Sequence, residues 1–166
     1  VSAKTDDGPR LSAEVVGLLD GSDLGARVGL TLQLLTVDEA GWPRVALLSA
    51  GEVLTLDESS LRLALWPGSR TTANLTRTGH GTLVFVHAGA SHSVAIEARR
   101  AGDLAEPSIR AVFDGRVVDA QRDEVPYAVL RSGITFDLPD PASVLPRWRA
   151  TIDALRRAAP APGGAG

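Results

Sequence analysis

From Val28 to Arg100 the apolar residues recur mainly at every second position, and a single stretch of helical spacing, opened by Pro67-Gly68, interrupts them. A period of two puts alternate side chains on opposite faces of a strand, so most of this region has to be sheet. Val28, Leu30, Leu32 and Leu34 alternate with Gly29, Thr31 and Gln33, which gives a strand with one buried face. Asp38-Glu39-Ala40-Gly41 then turns the chain into a long second strand, Trp42–Thr55. Its later part is apolar on both faces (Val45, Leu47 and Val53 against Ala46, Leu48 and Leu54) and is expected to be a central strand or barrel wall. Asp57-Glu58-Ser59-Ser60 leads into a third strand, Leu61–Trp66, completing a three-stranded meander. This order is not the alternating strand–helix pattern of a doubly wound fold.

The flanking segments are less regular. Leu11–Asp20 carries Leu11, Val15, Leu18 and Leu19 at the spacing of one helix face and stops at Gly21. Ser69–Thr78 reads as a short helix closed by Gly79, and Thr82–Val86 with Ser91–Arg100 as a hairpin. Over Ile109–Gln121 the apolar positions suit a helix face, while Asp114-Gly115 is a hairpin signal; strand is the reading taken. Glu124–Arg131 reads as helix, Gly133–Leu138 as a last strand, and Pro146–Ala159 as an amphipathic helix with Pro146 in its first turn. Six or so strands with short helices between them predict a mainly β chain folded as a closed or split barrel. One domain is expected over 11–159, between an extended tail at 1–10 and a flexible Ala/Pro/Gly tail at 160–166 with nothing to pack.

Composition removes several functions. The 166 residues contain no cysteine, which excludes disulfides, thiolate nucleophiles and thiolate zinc sites. A net charge of −3 and only 4% aromatic residues leave little for phosphate-backbone binding or base stacking, so no nucleic-acid partner is expected. No apolar run approaches the roughly 18–20 residues of a membrane helix. Neither a membrane partner nor a signal peptide is expected, and the expected location is the cytoplasm. Lys4 is the only lysine, so an anion site must be built from arginine, hydroxyls and backbone amides.

The segment that can carry chemistry is Leu61–Leu75, LRLALWPGSRTTANL. A strand ends at Trp66 and a helix begins at once with Ser69, Arg70, Thr71, Thr72 and Asn74. A helix N-terminus offers unpaired N–H groups and the positive end of its dipole, and hydroxyls with an arginine add what a phosphate group needs. The same residues also suit plain capping by Ser69 with Arg70 left in solvent.

This strand–turn–helix, with the strand order from about Val28 to Arg100 and Gly41-Trp42-Pro43-Arg44 opening the second strand, resembles the pyridoxamine 5′-phosphate oxidase-like, FMN-binding split-barrel superfamily. The C-terminal part, from Asp123-Glu124-Val125-Pro126-Tyr127-Ala128 to Arg147-Trp148, is similar to an uncharacterised branch of it. The resemblance implies a six-stranded split β-barrel, a homodimer with the flavin at its interface, and FMN-dependent oxidoreductase chemistry on a small-molecule substrate. Oxidases of the superfamily carry Ser-Arg-Lys at this helix start, which implies that Ser69 and Arg70 hold the FMN phosphate, with Thr71 in place of the lysine. Arg44 stands where the superfamily has an arginine near the flavin, Ser49 where the oxidases have a second basic residue, and Ser93 where a glutamine faces the ring. Asn74 is grouped with the phosphate end, and Trp66 and Trp42 would wall the ring or the interface, or else pack at strand ends. The missing basic residues leave two alternatives: a split-barrel dimer without flavin, serving as a binding or structural module, or one that uses deazaflavin or haem.

No catalytic side chain is assigned, because a flavin supplies the redox chemistry itself. His87 and His92 flank a short loop and could face each other, with Glu97 as a third metal ligand, but their spacing is not diagnostic and no metal site is expected. Gly-x-Ser-x-Gly, Gly-x-Gly-x-x-Gly and Walker-type phosphate loops are absent.

Overall fold

The computed structural model describes residues 8–163. Its elements are α1 (Ala13–Leu18), a 3-10 turn (Leu24–Arg27), β1 (Leu32–Val37), β2 (Pro43–Leu48), β3 (Val53–Thr55), β4 (Ser60–Leu65), α2 (Arg70–Thr78), β5 (His80–His87), β6 (Ala90–Leu104), β7 (Arg110–Asp123) and α3 (Pro141–Arg157). The strands make one antiparallel sheet in the order β2-β1-β5-β6-β7-β4-β3. The fold is the expected mainly β split barrel, with seven strands rather than six.

The split follows from the two long strands. The first half of β6 pairs with β5, from Ala90 to Glu97, whereas β4 pairs with the first half of β7, from Ala111 to Arg116. Register shifts at Ala95/Ile96 and Arg100/Gly102 lie along the β6–β7 ladder. Extra residues of this kind bend a strand and raise its twist, which lets one pair of strands serve both halves of the barrel. Leu32, Leu34, Leu63, Leu83, Phe85, Ile96 and Phe113 fill the interior, and Val15 and Leu18 of α1 join them. A second cluster, Leu54, Ala64, Val112, Ile152 and Leu155, seats α3 on the other face of β3, β4 and β7. β4 is therefore covered on both faces, with Leu61, Leu63 and Leu65 inward and Arg62 and Ala64 beneath α3.

Several expectations are corrected. The first strand begins at Leu32 rather than Val28, because the chain turns at Gly29 (φ 92°) and Leu30 N–H bonds Arg27 O. The long second strand is two strands broken at Ser49–Glu52, where Glu52 N–H bonds Ser49 O and Gly51 lies against the Trp148 indole. β2 pairs with β1 and β3 with β4, so β2 and β3 sit at opposite edges of the sheet and the three strands form no meander. Asp114-Gly115 is no turn: β7 runs straight through it, and a Cβ at Gly115 would lie 3.1 Å from Leu61 Cδ1 and 3.2 Å from Ile96 Cδ1. That glycine serves close packing inside a strand.

Glu124–Arg131 is not helical and Gly133–Leu138 pairs with no strand; only a bridge between Val125 and Ala128 marks the segment. α3 starts five residues before Pro146, since Asp140 caps it by accepting from Ser143 N–H and Pro141 takes the first turn. Ala161 is buried and donates its N–H to Asp114 Oδ2, so the stretch after α3 does pack. The remainder of both expected tails, 1–7 and 164–166, lies outside the described residues.

Candidate functional site

Pro67-Gly68 reverses the chain after β4, and Ser69 caps α2 with its hydroxyl accepting from Thr72 N–H at 3.1 Å. Ser69 Oγ also donates to Thr72 Oγ1 at 3.1 Å, and Thr72 Oγ1 donates to Trp66 O at 2.6 Å. The turn is thus held by its own hydroxyls. Left over are the amides of Arg70 and Thr71, which have no acceptor inside a helix, and the exposed Arg70 guanidinium, which has no partner among the described residues. Gly79, left-handed at φ 68°, closes the helix.

Asn74 lies one turn down and is buried, donating from Nδ2 to Thr36 Oγ1 at 3.2 Å, which fixes α2 to β1. Arg77 donates to Val37 O in the same sense. Arg44 lies directly opposite Thr36 in the β1–β2 register, so it projects on the face that α2 covers. Its Nε donates to Asp38 Oδ2 at 2.7 Å, and the Trp42 N–H together with that guanidinium holds the Asp38 carboxyl below the usual carboxylate range.

Ser49 is spent elsewhere: its N–H and Oγ both donate to Glu52 Oε2, at 2.7 and 3.0 Å. Burial pushes the Glu52 carboxyl above its ordinary value, against the pull of these bonds and of Arg110. Arg110 is the cation that sequence reasoning missed. It sits on β7 one step beyond the Leu65–Ala111 pair, with its guanidinium carbon 3.5 Å from the Trp66 ring centroid. Desolvation lowers its pKa, Glu52 raises it, and nearby Arg147 lowers it further. Arg110 was hidden because it falls in the stretch whose secondary structure was ambiguous, and only the register sets it against Trp66.

The structure thus brings Trp66, Ser69, Arg70 and Thr71 together, braces them through Asn74, and sets Arg44 opposite Thr36 with its guanidinium held on Asp38. It reaches Ser49 only through Glu52 and Arg110, and Trp42 is largely exposed at the start of β2. Ser93 lies on the outer face of β6 between Val84 and Gln121. His87 and His92 lie beside each other with ring centroids 6.3 Å apart; His92 is stacked on Phe85 at 5.0 Å and lies 3.2 Å from His87 O, His87 also faces Glu14, and Glu97 bonds Arg116.

The uncharacterized protein YclD of Bacillus subtilis (strain 168) is 36% identical over 148 residues, which take in 89% of this chain and 96% of that protein. The chain belongs to the YclD family. No protein-family model matches the sequence. Among solved structures, a candidate pyridoxamine 5′-phosphate oxidase from Lactobacillus delbrueckii superposes with a TM-score of 0.53 at 20% identity, over 68% of this chain and 93% of the other. HupZ from Group A Streptococcus gives 0.54 at 14% identity, over 76% and 98%. The YclD-family barrel therefore has the fold of pyridoxamine 5′-phosphate oxidase-like proteins. Among the described residues no helix is long and apolar enough to cross a membrane.

Proposed function

We propose that this YclD-family chain is an FMN-binding oxidoreductase that works on a small-molecule substrate as a homodimer in the cytoplasm. The observation that carries the reading is the unpartnered Arg70 guanidinium beside the two free amides of Arg70 and Thr71, at the start of a helix whose own hydroxyls already hold the turn. These groups fit a phosphate monoester, which takes several short donors and a cation at once. The Trp66 ring, pinned by Arg110, offers a wall for an aromatic ring system, and Asn74 keeps α2 at a fixed distance from β1. Arg44 reaches the same region once it exchanges Asp38 for a ligand, and Asp38 then keeps the N–H groups of Ala40 and Trp42. A bound flavin supplies the redox chemistry; the chain binds it, orients it and shields it from water.

A second reading, a split-barrel dimer without flavin, is favoured by one feature: Ser49, Ser69 and Asn74 all spend their side chains on intramolecular hydrogen bonds. Deazaflavin or haem in place of FMN belongs to the same branch of the question. The absorption spectrum of the purified protein, followed by FMN titration, separates these readings. Flavin bands, or FMN binding that Arg70→Ala weakens by about 1.5–3 kcal/mol through loss of a charge-assisted contact, support the proposal. A colourless protein that ignores FMN refutes it, and unchanged affinity in Arg70→Ala removes that residue from the site.

A further inference from the structure

The face of β4 that α3 covers runs on past the strand end into a corner rich in arginine. Arg62 and Ala64 lie beneath α3, so Trp66, two positions on, continues the same face. The β4–β7 register, carried one pair beyond Leu65–Ala111, sets Arg110 opposite Trp66, with its guanidinium carbon 3.5 Å from the ring centroid. On the other flank Glu52 O accepts Ala64 N–H at 2.9 Å, which brings the 49–52 turn to the same end of β4. α3 closes the corner: the Trp148 indole lies against Gly51, and Arg147 stands one residue before it.

This corner holds more cation than it has partners for. The Arg110 guanidinium is half-buried, and its one hydrogen bond among the described residues goes to Ile109 O at 2.9 Å. Arg147 is exposed and its guanidinium makes no hydrogen bond or ion pair among the described residues. The two lie close enough for Arg147 to oppose the charge on Arg110. Glu52 is the carboxylate that faces them, and its Oε2 already accepts Ser49 N–H and Oγ. Two guanidiniums against one carboxylate leave a single positive charge in excess, which an anion placed between them would balance.

The donor set also differs from that at the start of α2. There, free amides beside one arginine suit a phosphate. Here the Ser49 hydroxyl and N–H are spent on Glu52, and what remains on offer is two planar guanidinium forks. Such forks match a carboxylate bidentately, and one excess charge suits a monoanion.

We infer that Arg110 and Arg147 form a carboxylate-binding subsite beside Trp66, and that the small molecule this chain works on carries a carboxylate group. The subsite is read from the corner alone; naming its ligand as a redox substrate rests on the flavin reading above. Isothermal titration calorimetry at low ionic strength on the full-length protein tests it, with benzoate as probe, benzamide as its uncharged isostere and inorganic phosphate as the competing anion. Arg147→Gln is the main variant, because an exposed side chain without bonds can be exchanged with circular dichroism unchanged. Arg110→Gln accompanies it. Benzoate is expected to bind and benzamide not to, and each variant is expected to weaken benzoate about tenfold or more, the loss of one charge-assisted contact. Equal binding of benzoate and benzamide, or benzoate affinity unchanged in Arg147→Gln, overturns the subsite. Phosphate that binds more tightly than benzoate, and is weakened by the same variants, overturns the carboxylate assignment. FMN titration of the same samples separates the two readings. A protein that binds FMN through Arg70 but ignores benzoate keeps the flavin and loses the subsite. One that binds benzoate through Arg147 but ignores FMN keeps the subsite and loses its assignment to a redox substrate.

Discussion

Arg62 is the sharpest single test of how the barrel holds α3. It sits on β4 with 6% of its surface exposed, and its Nε donates to Asp114 Oδ1 at 2.7 Å. Its Nη1 donates to Leu155 O at 2.6 Å and to Ala158 O at 2.7 Å, two carbonyls at the negative end of the helix. Asp114 in turn accepts Ala161 N–H, so one ion pair fastens the helix end and the chain beyond it. Arg62→Ala leaves a mostly buried carboxylate without its cation and two helix carbonyls without a donor. Breaking a buried pair from one side costs about 3–5 kcal/mol, a large share of the roughly 5–15 kcal/mol that holds a domain together. At about 2–4 °C per kcal/mol for a chain of this size, the melting temperature falls by on the order of 10 °C. Urea unfolding followed by tryptophan fluorescence measures the loss directly. Arg62→Met/Asp114→Leu, which removes both charges, is expected to recover at least half of it. A loss below about 1 kcal/mol in Arg62→Ala would refute the reasoning, since it is the value of a solvated pair.

Two further predictions follow from contacts near the site. Gly51→Ala would put a Cβ 2.3 Å from Trp148 Cγ, so the indole must move; a loss of about 1–3 kcal/mol in chemical denaturation is expected, with a changed Trp148 environment in near-ultraviolet circular dichroism. Glu52, raised by burial, binds its proton more tightly folded than unfolded, so its contribution to stability is full at low pH. That contribution is lost as pH rises from the ordinary glutamate value of about 4.3 through the raised one. Glu52→Gln is expected to flatten this decline in the urea midpoint between pH 4 and 7, and an unaltered slope would rule Glu52 out as its source. Asp20, held below its ordinary value by the Ser22 hydroxyl, acts with the opposite sign and at lower pH.

Local chemistry made the site legible. Ser69 as cap, Gly79 as stop and the period-two runs on either side follow from rules that act within a few residues, and the structure keeps them. Long-range placement was not legible in the same way. Nothing in LRLALW says that Trp66 will meet Arg110 across a ladder 44 positions later, or that Ser49 will turn its hydroxyl onto Glu52. Glu124–Arg131 failed for a related reason: helical spacing counts only when a core lies under the apolar stripe, and here the stripe has none within its own chain.

The misplacement of the second strand carries the most information. Val45-Ala46-Leu47-Leu48 carries apolar residues on both faces, the pattern of a strand covered on both sides, whereas Leu61-Arg62-Leu63-Ala64-Leu65 sets three leucines against Arg62 and Ala64. For β4 that cover comes from within the chain, as the barrel interior takes Leu61, Leu63 and Leu65 while α3 takes Arg62 and Ala64. For β2 only one side is covered, and Val45 and Leu47 face solvent at the edge of the sheet. An uncovered apolar edge strand is an aggregation hazard that folded proteins ordinarily blunt with charge, proline or a bulge. Here Pro43 and Arg44 stand at its start, and Val45 and Leu47 beyond them remain exposed. For β2 the expectation of a central strand covered on both sides therefore fails, because periodicity within a strand does not say how many layers the rest of the fold supplies.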